Sequence, residues 1–163
     1  MKFLGSLFLV LTVLLATPAD AKFMDNHGSW SAFKAGKVCY IATEPKKSVG
    51  KYKKRGTVAL VVTHGPGKKE IGVVSVQAGY TYKKGSSAVI TIGKTNIKMF
   101  TDADTAWAAK PKTDKVLVAA MKAGAELAVR GQSSRGTKTT DLYSLKGFTA
   151  AYKAISKACK VKG

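Results

Sequence analysis

Acid is scarce in this chain. Against 28 lysines and arginines stand 9 aspartates and glutamates, which leaves a net charge of +19 over 163 residues. Histidine and cysteine are scarcer still, two of each. His27 and His64 have no cysteine or carboxylate at ligand spacing, so a metal centre is not expected. His64 opens a turn beside Pro66, near Glu70, and reads as a solvated turn histidine and not as a base. Asp102 and Asp104 stand two apart before Trp107 and share a face only loosely. Glycoside hydrolysis needs two carboxylates on separate supports around a cleft, so these two read as solvated or lysine-paired. A G-x-S-x-G elbow is absent. The expected class is a non-enzyme with no cofactor and no metal.

A run long enough to cross a bilayer is also missing. The apolar stretch Phe3 to Ala16 follows Lys2 and precedes Ala19-Asp20-Ala21, the layout of a cleaved signal peptide. Residues 1–21 are therefore expected to be a leader, 22–29 a flexible lead-in, and 30–163 a single domain, periplasmic or secreted. The leader holds one basic and one acidic residue, Lys2 and Asp20, so its loss leaves the charge at +19. About 140 residues remain, enough for one core.

In an oxidising compartment an even cysteine count favours a disulfide, and Cys39 with Cys159 is the one pairing available. A free thiol or an intermolecular bond is the alternative. The cross-link would close a loop of about 120 residues, worth about 4–5 kcal/mol in the chain-entropy picture.

Short segments rich in Val, Ile, Thr and Tyr, separated by Gly, Pro and Lys, predict strands at 37–43, 57–63, 70–77, 88–92, 97–101, 126–131 and 137–143. The fold class expected is mainly β, an antiparallel sandwich. Val58, Leu60, Val61 and Val62 make one strand apolar on both faces, as if something covers its second face. Two segments have the helical period. Thr113 or Asp114 can cap a helix carrying Leu117, Ala120 and Met121, with Gly124 as its stop. Ser144 can cap a second, whose Leu145, Phe148, Tyr152, Ile155 and Cys159 share one face. That spacing turns Cys159 toward the core, so the disulfide would pin this helix to an early strand.

Residues 88–95 match a loose nucleotide-binding loop, but Val89 to Ile92 are β-branched and no helix follows, so a strand and turn are expected. The basic loops carry more weight. Lys46, Lys47, Lys51, Lys53, Lys54 and Arg55 crowd one connection around Tyr52, and Lys83 and Lys84 follow Tyr80 and Tyr82 in another. If successive strands alternate in direction, both loops emerge at one end and form one anion-binding patch. Lys68, Lys69 and Lys94 then lie at the other end. Such a field attracts acidic lipids, acidic glycans or acidic proteins of an envelope or host surface, and weakens with salt. Export argues against nucleic acid as the partner. The competing reading is that these lysines serve solubility alone.

Gly79-Tyr80, Ala106-Trp107, the run from Leu117 to Gly124, Ser133-Ser134-Arg135-Gly136-Thr137 with Thr140-Asp141, and the run from Tyr143 to Ala151 leading to Cys159 occur in this order. Trp30, Cys39-Tyr40 and Arg55-Gly56 precede them. The set resembles the bacterial invasion-associated locus B family over nearly the whole chain beyond the leader. The resemblance implies an immunoglobulin-like β-sandwich with a closing helix, exported, with a role in attachment to or invasion of host cells. It implies no catalytic residues. This chain departs from some members in lacking additional cysteines after the tryptophan. On the residues themselves, 133–137 reads as a hairpin turn with Arg135 as a contact residue, and Trp30 and Trp107 read as packing residues. A structural or chaperone-like module that pairs a sheet edge with a protein is the alternative function.

Overall fold

Alternation sets the architecture. In strand after strand a buried residue follows a half-buried one, the period-two pattern of a sheet with one face in the core. The computed structural model describes residues 21–68 and 70–162, so most of the expected leader and Lys69 lie outside the described residues. The chain runs β1 (Lys22–His27), β2 (Trp30–Ala35), β3 (Val38–Thr43), β4 (Lys47–Val49), β5 (Ala59–His64), β6 (Ile71–Gln77), β7 (Ser87–Ile92), β8 (Thr95–Asp102) and β9 (Thr105–Trp107). Helix α1 (Pro111–Ala123), β10 (Glu126–Gln132), β11 (Lys138–Ser144) and α2 (Phe148–Ala158) complete it.

All pairings are antiparallel, in the order β1-β2-β3-β5-β6-β9-β8-β7-β10-β11-β4. The two halves of this order contribute to one shared core, sandwich-like as expected. Closure is visible where far ends of the order meet: the Trp30 indole in β2 donates to the Ser144 carbonyl in β11 at 3.1 Å. Beside it the Ser29 amide donates to the Lys146 carbonyl at 3.0 Å. Gly147, at φ +91°, leaves no room for a Cβ against the His27 carbonyl, so only glycine lets the chain cross there. Trp30 and Phe148 pack edge-to-face at 5.0 Å inside one continuous core.

The segment 22–29, expected to be flexible, instead begins with β1, because its backbone finds a full antiparallel partner in β2. The helices also start elsewhere than expected. Pro111 takes the first position of α1, and Asp114 is not a cap: it is buried and accepts the Val74 amide of β6 at 2.9 Å. Gly124 does end α1, its amide bonded to the Ala120 carbonyl. Ser144 is the last residue of β11, and Gly147 caps α2. Residues 88–95 are strand and turn, with Gly93 at φ +55°.

The disulfide joins Cys39 of β3 to Cys159 at the end of α2, Cα to Cα 6.0 Å. His64 is not solvated. It is fully buried under α2, with Nδ1 accepting the Gly72 amide at 3.0 Å and Nε2 3.0 Å from the Ser156 hydroxyl. The Ser156 hydroxyl donates in turn to the Tyr152 carbonyl, so Nε2 carries the proton. Burial, helped by the charge of Lys122, holds His64 below its ordinary pKa. Neighbouring apolar residues, invisible from the local turn, made this histidine structural.

Candidate functional site: a basic rim on three loops

Strand direction brings three loops to one end of the sandwich: 50–57 after β4, 78–86 after β6, and the β10–β11 hairpin at 133–137. Backbone bonds lock them together. The Gly56 amide donates to the Gly79 carbonyl at 2.9 Å, and the Lys83 amide donates to Gln132 at 2.9 Å. The Ser134 amide donates to Thr81 at 2.8 Å, beside a bridge between Tyr82 and Ser133. Gly79 has φ +67°, and a Cβ on it would lie 2.5 Å from the Gly56 carbonyl oxygen. The resulting approach is one that a side chain would block.

Arg55 is the anchor of this end. Its guanidinium grips Asp141 of β11 with two bonds, at 2.7 and 2.6 Å, and its Nε donates to the Ala78 carbonyl at 2.7 Å. The pair is withdrawn from solvent, with side-chain exposure of 13% and 3%. Arg55 also lies over the Tyr80 ring at 5.0 Å, and Tyr52 stacks on Tyr80 at 5.3 Å. Burial opposes the charged form of Arg55, but the hydrogen bonds and charge of Asp141 outweigh it and hold the group above its ordinary value. Asp141 also accepts from Ser48 at 2.7 Å. Tyr82 and Tyr143 are buried beside this pair, and burial pushes both phenols up.

The patch expected from sequence is thereby divided. Arg55 has its fork occupied, and Tyr82 is enclosed, so neither is available to a ligand. Lys46 pairs with Glu126. Lys47 lies on β4 opposite Leu142, about 20 Å along β11 from the hairpin tip at a strand's rise per residue. Tyr52 is half-buried against Tyr80. Lys51, Lys53, Lys54, Lys83 and Lys84 are exposed. Arg135, read separately from sequence, joins them: with Lys51, Lys53 and Lys54 it lines a cavity of about 480 Å³ whose other walls are Tyr52, Gly56 and Thr137. No carboxylate lines it. Gly136 follows at φ +85° and makes the hairpin turn that projects Arg135.

At the other end Lys68 shares a second cavity, about 520 Å³, with Lys34, Lys37 and Lys160 beside the disulfide. Lys94 sits in the β7–β8 turn, at the far end of β7 from Lys84. Asp102 and Asp104 flank the β8–β9 turn, where Asp104 accepts from Gln77 and Thr105. Among the described residues no group of His, Cys, Asp and Glu could hold a metal ion, and no helix is long and apolar enough to cross a membrane. Asp141 is the residue sequence reading missed. Its signal was present: Thr139, Asp141 and Tyr143 alternate on the inward face of β11, which places a carboxylate in the core in need of a cation.

The invasion associated locus B (IalB) family model matches residues 30–156. This chain belongs to that family. A crystal structure of invasion associated protein B from Bartonella henselae superposes with a TM-score of 0.59 at 20% identity, covering 83% of this chain and 97% of that one. At that identity the likeness speaks for the fold alone, and the shared fold is the antiparallel sandwich described above. A search of curated proteins gives no match. The IalB matched region takes in Arg55, Asp141 and the whole three-loop rim, and ends two turns into α2.

Proposed function

We propose that this IalB family member is an exported, non-enzymatic envelope protein that binds an anionic envelope or host-surface component through the rim of Lys51, Lys53, Lys54, Lys83, Lys84 and Arg135. The observation that carries the reading is a cavity walled by four cations without a carboxylate, on loops that a buried ion pair holds in place. Exposed cations near an acidic surface contribute about 1 kcal/mol each, so four to six acting together give weak association, from about millimolar to tens of micromolar. Export is supported by the leader-like start of the sequence and by the disulfide, a bond of oxidising compartments. The family and the Bartonella henselae protein are both named for invasion, and a role in contact with host cells is carried to this chain as part of the proposal.

The mechanism is electrostatic capture on a preformed surface. Because Arg55 and the Tyr52–Tyr80 stack fix the loop, little ordering cost falls on binding. Binding of the protein to anionic vesicles and to sulfated glycans, followed over a salt series, tests it. Affinity should fall steeply between about 50 and 300 mM salt and be absent on neutral vesicles. Binding indifferent to salt, or none to any anion, would end this reading. A second reading, a module that adds a partner's strand to a sheet edge, draws on β1, an edge strand with mostly exposed side chains. It predicts a discrete protein complex that survives high salt.

A further inference from the structure

Among the described residues the outward faces of β2, β3, β5, β6 and β9 carry no charge, and Lys98 and Asp102 of β8 stand at their border. On β2, β3, β5, β6 and β9 alternate residues point away from the core, and their register runs Phe33–Tyr40–Thr63–Val73 in one row. A second row runs Ala42–Val61–Ser75–Trp107. Aromatic contacts tie the rows to the strands beyond. Phe23 of β1 meets Phe33 at 5.8 Å, Phe33 stacks on Tyr40 at 5.0 Å, and Trp107 stacks on Phe100 of β8 at 5.5 Å. Phe23 and Phe100 are about half exposed, at 51% and 49%. Among the described residues the other outward positions on these five strands hold alanine, valine, serine, threonine and glutamine. With 23% of residues charged, a face of average composition would carry a charge at about every fourth position.

The sequence already asked for a cover on this side, since Val61 and Val73 flank inward-facing Leu60, Val62 and Val74. Among the described residues the cover is lacking. Both helices lie on the inner side, α2 through His64 and Cys39 and α1 through Asp114 and Val74. We infer that this face packs against the same face of a second copy of the chain. Charge selects that occupant. At +19 per chain, two copies repel wherever loops and lysines meet, and the outward positions of these five strands bring no cation against another. An acidic partner, by contrast, would find nothing here to pair with. Five strands spaced about 4.8 Å apart and about 20 Å long offer on the order of 500 Å² per copy, so a two-fold pair would bury about 1,000 Å². That area reaches the lower bound of a specific interface. Two antiparallel sheets packed face to face about 10 Å apart, with side chains interdigitating, are the geometry such a surface forms.

The inference is separate from anion binding and responds oppositely to salt. Screening weakens the repulsion between two +19 chains and leaves apolar burial intact, so the dimer tightens as salt rises. Sedimentation of the disulfide-closed protein from about 1 to 200 µM, at about 50 and 500 mM salt, reads this directly. A monomer–dimer equilibrium at least tenfold tighter at the higher salt is expected. Trp107 emission should shift to the red on dilution as its face is exposed to water. Phe33→Lys and Val73→Lys, on different strands, should each weaken the dimer at least tenfold while the circular-dichroism spectrum stays native. Should one of them fail to fold, the other and the Trp107 signal still decide. A monomer throughout the high-salt range overturns the inference, as does a dimer that loosens with salt or one that persists in both lysine variants.

Discussion

Arg55 and its neighbours Lys51, Lys53 and Lys54 come from one short basic run and meet opposite fates. Arg55 lies against the rings of Tyr52 and Tyr80 with both arms on Asp141, while the three lysines stand in solvent around an acid-free cavity. The difference follows from chemistry. A guanidinium is flat, offers a fork that matches a carboxylate, and stacks on rings, whereas an ammonium keeps its hydration. The same run of cations thus supplies both the bolt of the loop and the surface it presents. Counting positive charges in a loop overstates its binding capacity whenever an inward carboxylate lies within reach.

That division can be broken most sharply at the bolt. Arg55→Ala leaves Asp141 charged in the core with the Ser48 hydroxyl but no cation, and should cost about 3–5 kcal/mol in urea unfolding. Replacing both partners, Arg55→Met with Asp141→Leu, should recover much of the loss. A loss within about 0.5 kcal/mol for Arg55→Ala would place Arg55 with the rim lysines instead. Next in size is Asp114, a buried carboxylate held by a backbone amide and no cation. Burial raises its pKa, the Val74 amide partly offsetting this. Asp114→Ala strands that amide and should cost about 1–3 kcal/mol, while Asp114→Asn, which keeps an acceptor, should cost less.

His64 gives the smallest effect and a pH signature. Its folded pKa lies below the ordinary 6.5, so the unfolded chain takes up the proton first. Its contribution is complete above about pH 6.5 and is lost as pH falls toward the folded value. The melting temperature should therefore drop on going from pH 7.5 to 5.5. His64→Phe should flatten that part of the profile. A profile unchanged by the substitution would return His64 to the solvated turn that local sequence suggests.

Much of the fold was legible. The β-branched runs at 59–64, 71–77 and 87–92 alternate cleanly, and each lies within two residues of its expected bounds. The missed strands lack that signature. Lys22–His27 and Lys47–Val49 are edge strands of mostly exposed residues without apolar alternation, and Thr105–Trp107 is three residues long. Their partners define them, and partners are long-range information. Trp30–Ala35 alternates, but its alanines, serine and lysine are weak strand formers. For helix starts, Pro111 was a usable signal of the first turn, while Ser144 misled because its strand continued through it. The candidate site was half legible. The loops meet as strand direction implied, yet Arg55 and Tyr82 could be told from free ligands only by Asp141 and the burial around it.

In the proposed mechanism the free rim, and not the total charge, captures an anionic surface. Binding to anionic vesicles at about 100 mM salt should be compared between a Lys51→Glu, Lys53→Glu, Lys54→Glu, Lys83→Glu variant and one with Lys112, Lys115, Lys153 and Lys157 changed to glutamate. Both alter net charge equally, and both should melt near the native temperature. At least a tenfold greater loss of affinity is expected for the rim variant. Equal losses in the two would contradict it.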